Sequence, residues 1–238
     1  MIRKMACTGF LVILVASVSM AVLLAFIQAG GIHTAGIPEK NAILVAARDS
    51  PESAKALADY ICDGVADQVE IQQAIDASRS RGMIVSLAEG TFTLDGDLVV
   101  PDDTTIEGKG DTRTHLHWIS GRLTAYGGEN IVFRDFETCG TGAIFFFNCS
   151  HVKVHDVTAR IDNSLGGGAF FVWVQNSVSE DIEFVNCKAI DCGRMGFMND
   201  GEGARRLIRN IRYINCQAIN SGRYARFTPY GAWTTGFA

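Results

Sequence analysis

The chain has 238 residues, of which 47% are hydrophobic and 20% are charged, and its formal net charge is −5. This length and apolar content are sufficient for one folded domain with a sizeable core. The mild acidity and the lack of a long basic run exclude the usual charge pattern of a nucleic-acid-binding protein, so no nucleic-acid partner is expected.

The amino-terminal residues are typical of an export signal. Arg3 and Lys4 precede a stretch from Met5 to Pro38 that contains no Asp, Glu, Lys or Arg, and its most apolar part runs from Phe10 to Ile27. A positive start followed by an apolar run directs a protein to export. The apolar part is 18 residues long, which is longer than most cleaved signals and close to the length that spans a bilayer.

Two alternatives therefore remain for residues 1–29. They form either a signal peptide cleaved after Ala29 or a signal anchor, a transmembrane helix that keeps its positive end in the cytoplasm and holds the protein on the membrane. Both alternatives predict an extracellular or cell-surface location. Residues 30–41 are predicted to be a linker, and residues 42–238 to form the folded domain.

The first part of the folded domain is predicted to contain strands and two helices. Strands are expected at two apolar runs, residues 42–47 and 83–87. Pro51 suits the first position of a helix that would run to Tyr60, with Asp49 or Ser50 as its cap. Short strand-length pieces broken by Gly, Pro and Asp follow as far as residue 110 and continue the β pattern.

The second helix is predicted at residues 67–77, with Asp67 as its cap. Its apolar side chains follow a helical period and are expected to be buried: Val69, Ile71, Ala74 and Ile75. Gly82 would end this helical unit before the next strand begins.

Five short motifs lie between residues 42 and 118: Asp63-Gly-Val-Ala-Asp67, Ile71-Gln-Gln-Ala-Ile-Asp76, Leu87-Ala-Glu-Gly-Thr-Phe92, Leu98 to Pro101, and Thr105-Ile-Glu-Gly-Lys-Gly110. They resemble the entry segment of the pectate-lyase-like superfamily of right-handed parallel β-helix proteins. The resemblance implies that the second helix plugs the first coil, since an open solenoid end exposes apolar core and unpaired strand edges. It implies no particular activity, because the superfamily includes lyases, hydrolases, phage tailspikes and surface proteins without known activity.

The rest of the chain contains four copies of one strand pattern, which begin at residues 130, 151, 181 and 210. In each copy the second and fourth residues are apolar, the sixth is Asp or Asn, and the seventh is apolar or Cys. Such alternation marks a strand with one buried face, and the spacing of the copies suits one circuit of a solenoid. The predicted fold is therefore all-β, a right-handed parallel β-helix with an N-terminal capping helix, preceded by the apolar export or anchor helix.

Stacked circuits place equivalent side chains in columns. Two inward columns are expected: Phe133, Val154, Phe184 and Tyr213, and Phe136, Val157, Cys187 and Cys216. Asp and Asn tolerate left-handed backbone angles and bond to neighbouring main chain, so they are expected to form a polar ladder where the chain bends. Its members are Asp135, Asp156, Asn186 and Asn215. The segment Phe145-Phe146-Phe147 is expected to be mostly core.

The motifs of enzymes in the superfamily are largely missing. Of the four motifs of polygalacturonase-like hydrolases only a paired Asp occurs, Asp102-Asp103, and no segment matches the patterns of calcium-dependent pectate lyases. These absences make an enzyme less expected without excluding one.

Candidate functional side chains gather at one corner of the predicted coils. Asp162, Asp191 and Asn220 follow their strands at nearly equivalent positions, and Arg194 and Arg223 each follow a glycine in strict register. Stacked Asp residues shift one another's pKa and could serve as acid and base or bind calcium. Stacked Arg residues would suit a uronate or another acidic sugar. The alternative is a solvated turn ladder in which these charges neutralise one another.

Aromatic residues flank this corner, and exposed rings stack on sugar faces. The candidates are Trp173, Tyr224 and Trp233. Alternation along a strand predicts that about half of the aromatic rings in this part of the chain point inward. A Gly-rich stretch, Asn199 to Gly203, with the residues just after it, brings together four charged residues, Asp200, Glu202, Arg205 and Arg206, and it is either a second candidate site or an ordinary polar loop.

These patterns predict a cell-envelope module that binds polysaccharide or glycoconjugate on its lateral face. The alternative is a carbohydrate-active enzyme, a polysaccharide lyase or glycoside hydrolase acting on acidic polysaccharide. Its catalytic candidates are Asp162, Asp191, Arg194 and Arg223, and its substrate-binding candidates are Asn220, Trp173, Tyr224 and Trp233. No cofactor is expected unless calcium binds the stacked Asp residues, and the oligomeric state is not predicted.

Two further expectations concern cysteines and the chain end. The six cysteines outside the export segment are expected to be free buried thiols, because they lack the spacing of a zinc or redox motif. The apolar sequence up to Ala238 favours either an incomplete β-helix or a chain that pairs with another copy, since solenoid ends need to be covered.

Overall fold

The computed structural model describes residues 41–161 and 168–221. The signal peptide or anchor predicted for residues 1–29 lies outside these ranges, as do four candidate site residues: Asp162, Arg223, Tyr224 and Trp233. Within the described ranges, no helix combines the length and the apolar character needed to cross a membrane. Export of the protein therefore stays a prediction from the sequence.

Seventeen strands and two helices are present in the described residues. The strands are β1 (Ala42–Ala46), β2 (Tyr60–Ile61), β3 (Ile84–Leu87), β4 (Gly90–Leu94), β5 (Leu98–Val99), β6 (Thr105–Glu107), β7 (Thr114–Trp118), β8 (Leu123–Tyr126), β9 (Val132–Gly140), β10 (Ile144–Phe147), β11 (Val152–Ile161), β12 (Phe170–Gln175), β13 (Val178–Val185), β14 (Lys188–Ile190), β15 (Phe197–Glu202), β16 (Leu207–Ile214) and β17 (Gln217–Ile219). The helices are α1 (Glu52–Lys55) and α2 (Gln68–Arg79).

The strands form two sheets. Within each sheet, every pair of neighbouring strands is parallel. Sheet 1 has twelve strands along the path β16-β13-β11-β9-β6-β3-β1-β2, with β4, β7, β14 and β17 attached beside it. Sheet 2 has five strands in the order β15-β12-β10-β8-β5. Along most of both sheets, a step to the neighbouring strand advances the chain by one circuit. The fold is therefore mainly β, with long parallel sheets that are consistent with the predicted solenoid.

The repeats set the register between circuits. Val154 lies opposite Phe133 on one side and Phe184 on the other, and Phe184 lies opposite Tyr213. The first three are fully buried and Tyr213 is partly buried, with the ring centroids of Phe184 and Tyr213 5.1 Å apart. The first inward column is confirmed. The second is confirmed as well, with buried Phe136, Val157 and Cys187 and half-buried Cys216.

The bends carry the predicted polar ladder. All four members have left-handed backbone angles, with φ of 61°, 55°, 54° and 52° in Asp135, Asp156, Asn186 and Asn215. The Asn186 amide donates a hydrogen bond to Asp156 Oδ1 (2.9 Å), and the Asn215 amide donates to Asn186 Oδ1 (2.8 Å). Side chains of neighbouring circuits therefore tie the bends together. A second set of left-handed residues was not predicted as a ladder. It consists of Asp103 and the first residue of each of the four repeats: Asn130, His151, Asp181 and Asn210.

Helix α2 packs over the first circuit, as the superfamily resemblance implies. Its buried side chains join the common core: Ile71, Ala74 and Ile75. Val69, also expected to be buried, is 48% exposed. Asp67 stands at the capping position but makes no capping bond. Its buried carboxylate instead accepts hydrogen bonds from the main-chain N–H groups of Gly64 (2.8 Å) and Thr93 (2.7 Å), so it links the preceding turn to strand β4.

The first predicted helix is wrong in length and in its cap. Helix α1 ends after one turn, and Tyr60, its predicted last residue, lies in strand β2, which pairs with β1. Ser50 Oγ accepts a hydrogen bond from the Ala47 N–H and donates one to the Glu89 carbonyl, and Asp49 accepts from a strand β4 N–H. Strand pairing and these turn contacts outweigh the local preference for helix.

All six cysteines of the described chain are free, which confirms the prediction of free thiols. Four are buried, Cys62, Cys149, Cys187 and Cys192, and two are partly buried, Cys139 and Cys216. Burial raises the pKa of the Cys149 thiol to about 11, so it stays protonated at neutral pH and serves as a small apolar filler.

Candidate ligand-binding site

Alternation along sheet 2 places aromatic side chains in rows on its outer surface. One row across β10, β12 and β15 consists of Phe145, Phe171 and Met198, and the next of Phe147, Trp173 and Asp200. Residues between them, such as Phe146 and Val172, are fully buried, because successive side chains of a strand point to opposite faces. The aromatic members of the outer rows are half-buried. The prediction that Phe145-Phe146-Phe147 is mostly core is therefore wrong for two of its three rings.

We call five aromatic residues on the outer surface of sheet 2 the aromatic strip: Tyr126, Phe145, Phe147, Phe171 and Trp173. Tyr126 lies opposite Phe147 on the neighbouring strand and is 58% exposed. Ring centroids are 5.8 Å apart for Tyr126 and Phe147 and 5.7 Å apart for Phe145 and Phe171. The strip thus forms a continuous, partly exposed apolar surface over three circuits, and such surfaces commonly mark interaction sites.

The strip leads into a depression of ≈ 750 Å³. It is lined by Phe145, Phe171, Trp173, Arg194, Met195, Met198, Asn199, Asp200 and Arg206. The Gly-rich stretch predicted as a loop or second site supplies part of this lining. Most of it belongs to strand β15, since Asn199 lies opposite Val172 and Asp200 lies opposite Trp173. Strand pairing therefore places part of the Gly-rich stretch beside Trp173, and Arg194 lines the same depression.

Arginine side chains surround the aromatic rings. Arg194 Nε is buried, and no described residue accepts a hydrogen bond from it. Arg206 Nη1 donates a hydrogen bond to the Gly201 carbonyl. The Arg122 guanidinium lies over the Phe145 ring, 5.9 Å from its centroid. Among the described residues that line the depression, two are arginines and one, Asp200, carries a carboxylate. The local charge is therefore positive, whereas the net charge of the chain is negative.

The other predicted candidates occupy a different position. Asp191 Oδ1 accepts a hydrogen bond from Asn220 Nδ2 (3.1 Å), and Asp191 Oδ2 lies 3.5 Å from Arg160 Nη1. The predicted stacking of these two residues is confirmed. Both oxygens of Asp191 have partners, which supports the alternative of a turn ladder with neutralised charge. Neither Asp191 nor Asn220 is among the described lining residues of the depression, whereas Arg194 and Trp173 meet there.

A charged network on sheet 1 was not predicted from the sequence. His115 Nδ1 lies 2.8 Å from Glu137 Oε2, and Glu137 Oε1 lies 3.3 Å from Arg160 Nε, which connects this group to Asp191. The alternate pair of His115 with His117 is visible in the sequence, but Glu137 follows 22 residues later. Only the parallel register brings the two side chains together.

A second depression, of ≈ 640 Å³, lies on sheet 1. It is lined by Asn130, Val132, His151, Lys153, Asp181, Glu183, Asn210 and Arg212. Arg212 Nη2 pairs with Glu183 at 2.7 Å, and Asn210 donates to Asp181 at 3.0 Å. These side chains largely satisfy one another, and the described residues of the lining include no Phe, Tyr or Trp. The depression beside the aromatic strip is therefore the better candidate for a ligand.

One group of possible metal ligands occurs in the described part of the chain: Cys62, Asp67 and Glu70, whose ligand atoms lie within 4.8 Å of one another. Burial and the nearby carboxylates raise the pKa of the Cys62 thiol, and burial raises that of Asp67. Asp67 already accepts two main-chain hydrogen bonds. This arrangement suits a structural link at the start of α2. Calcium binding by the stacked Asp residues stays a prediction.

No protein-family model and no curated protein matches the sequence. Among solved structures, the chain is similar to a crystal structure from Parabacteroides merdae named "putative glycosyl hydrolase". The two are 16% identical, the match covers 63% of this chain and 89% of that chain, and the TM-score is 0.36. A likeness this distant shows neither a family nor an activity, and the superfamily resemblance stays a prediction.

Proposed function

We propose that the protein is a right-handed parallel β-helix, exported to the cell envelope, that binds polysaccharide or glycoconjugate on its lateral face. The binding surface would be the outer side of sheet 2. The observation that carries the proposal is the aromatic strip, five rings held at the surface by strand register rather than buried in the core.

The strip has the properties that sugar binding requires. Flat aromatic rings stack on the apolar faces of sugars, and polar groups at the edge of a site fix the orientation of a ligand. Trp173 and Phe171 supply rings in the depression, while Asn199, Asp200 and Arg194 supply polar groups beside them. The strip runs across successive circuits, so it offers an extended surface that suits a chain-like ligand.

Binding is favoured over hydrolysis by the charges of the site. Most glycoside hydrolases use two carboxylates on either side of the scissile bond. Asp200 is the one carboxylate among the described lining residues. The oxygens of Asp191, the other described carboxylate candidate, face Asn220 and Arg160.

The proposal is tested by measuring glycan binding by titration calorimetry after a glycan-array screen. Trp173→Ala should weaken binding by at least about tenfold, because aromatic anchors contribute roughly 2 kcal/mol or more at binding surfaces. Leu57→Ala is the matched control, since Leu57 is 70% exposed and lies on the first circuit, in the turn after α1. Unchanged affinity in folded Trp173→Ala and Phe171→Ala would contradict the proposal.

Turnover is tested separately with reducing-end and unsaturated-product assays on acidic polysaccharides. Glycan binding without turnover is the expected result. Turnover that is lost in Asp191→Ala would instead establish the enzyme alternative.

A further inference from the structure

We infer that Cys62, Asp67 and Glu70 bind a zinc ion or a similar transition-metal ion at the start of α2. The ligand atoms of the three side chains, the Cys62 sulfur and one carboxylate oxygen of each acid, lie within 4.8 Å of one another. The ion joins the turn before α2 to the first turn of the helix that covers the first circuit. This inference is independent of the proposed function, which concerns the outer surface of sheet 2.

Main-chain contacts hold two of the ligands in place. The N–H of Cys62 donates to the Ala46 carbonyl (2.9 Å), which fixes this residue beside strand β1. Cys62 is 2% exposed, and Asp67 is fully buried. The Asp67 carboxylate accepts one hydrogen bond on each oxygen, from the N–H groups of Gly64 and Thr93. A carboxylate has about four lone pairs, so these bonds orient Asp67 and leave lone pairs for a metal.

The carboxylate of Glu70 lacks the partner that its burial requires. Its Oε2 has less than 1 Å² of accessible surface, and no described residue donates a hydrogen bond to it. None of the ion pairs in the described part of the chain includes Glu70 or Asp67. Buried carboxylates without a cation are costly, because they lose hydration and repel each other. An ion enclosed between the ligand atoms removes both costs and needs no solvent-accessible surface on them.

The spacing and the donor atoms favour zinc. The centre of a triangle with sides of up to 4.8 Å lies at most about 2.8 Å from each corner, and zinc bonds to sulfur and oxygen are about 2.0–2.3 Å long. Small side-chain rotations therefore complete the bonds. A thiolate is a soft ligand that suits zinc and cobalt, whereas calcium and magnesium prefer oxygen ligands alone. The thiol releases its proton to water as it binds, and partly exposed Glu70 leaves access for water as a fourth ligand.

The test is binding of cobalt and zinc ions to the full chain after treatment with a chelator. Cobalt should bind and produce the near-ultraviolet absorption of a cobalt–thiolate bond. Zinc should abolish that absorption and raise Tm by about 5 °C at about one hundred times its Kd. Cys62→Ala should lose the absorption, and Glu70→Gln should weaken cobalt binding at least about tenfold. Cys149→Ala removes a buried thiol outside the group, Glu52→Gln removes an exposed carboxylate on α1, and both should bind cobalt as wild type does.

Each other outcome overturns the inference. Wild-type protein that shows no cobalt–thiolate absorption does so, as does absorption that survives in folded Cys62→Ala. Cobalt affinity that is unchanged in folded Glu70→Gln also does so, and this variant keeps the size of the side chain, so it tests the site even where Cys62→Ala fails to fold. Calcium binding with no thiolate absorption contradicts the assignment of a transition metal. Thermal melting in chelator shows which variants are folded.

Discussion

In the polar ladder, the contact between Asp135 and Asp156 lacks the hydrogen-bond donor that the next two contacts have. Asn215 donates to Asn186, and Asn186 donates to Asp156. Asp156 and Asp135 follow each other in the ladder as two carboxylates. Burial, followed by the charge of Asp156, raises the pKa of Asp135, although the nearby charges of Arg134 and Lys109 partly offset the shift. At neutral pH this step is therefore repulsive.

Replacing Asp156 with Asn should repair the step. The new amide would donate to Asp135 while its oxygen still accepts from Asn186, and Asn tolerates the φ of 55° at this position as well as Asp does. A hydrogen bond at a partly exposed corner stabilises by roughly 0.5–1.5 kcal/mol. For a domain of this size, we expect Asp156→Asn to raise Tm by about 3 °C at pH 7.

The sign of the pH dependence follows from the pKa of Asp135. Its folded pKa lies above the unfolded value, so the folded protein binds more protons at this site. The loss of folding stability caused by ionised Asp135 is fully present above the folded pKa. It disappears as the pH falls through that value towards the unfolded pKa. The advantage of Asp156→Asn over wild type should therefore shrink as the pH is lowered.

Thermal melting followed by circular dichroism at a series of pH values measures this effect. Asp103→Asn is the matched control, because it removes the same charge at another left-handed corner while Asn130 keeps an acceptor there. Asn186→Asp should lower Tm, since it adds a third carboxylate to the ladder. The reasoning is refuted if Asp156→Asn raises Tm at pH 7 no more than Asp103→Asn does.

Two further predictions test the fold and its charges. Gly140→Ala should destabilise the protein by at least about 2 kcal/mol, because Gly140 has a φ of 87° and an added Cβ would lie 2.2 Å from the Trp118 carbonyl oxygen. Gly110→Ala should lower the free energy of unfolding by less, because φ is 117° there but nothing lies within 4 Å of the added atom. Urea unfolding measures both variants, and equal losses of stability would contradict the steric explanation. Asp111 accepts a hydrogen bond from Thr158 (2.7 Å) and lies 3.4 Å from Lys188 Nζ, and these contacts lower its pKa. The stabilisation from the ionised Asp111 carboxylate is present above its unfolded pKa and is lost as the pH falls through its folded pKa. The Tm should therefore drop more between pH 7 and pH 3 in wild type than in Asp111→Asn. Parallel curves of Tm against pH for the two proteins would contradict this prediction.

The inward columns could be predicted because they depend on local alternation. A strand with period-two apolar residues has one possible buried face, and a repeat of about 29 residues places Phe184 over Tyr213 wherever the circuits stack. The corner residues were also predictable, since a left-handed turn favours Asp and Asn by their own backbone chemistry. Asn186 and Asn215 follow this rule.

Local preference failed where a distant strand competed with it. Residues after Pro51 favour helix, yet Tyr60 pairs with Val45 in sheet 1. Two of the three rings of Phe145-Phe146-Phe147 face outward, because the strand buries only the side chains on its inner face. Neither outcome is visible in a single segment of sequence.

By itself, the sequence determined the circuit length, the inward and outward faces of the repeat strands, and the residues at several bends. Those properties follow from the pattern of each segment alone. Only the tertiary structure decided which polar and aromatic side chains meet across circuits. Trp173 comes to lie opposite Asp200 in the same depression as Arg194 because parallel strands 27 residues apart pair in one register. That register is set by packing of the whole core, so no local pattern could identify the aromatic strip as the candidate site.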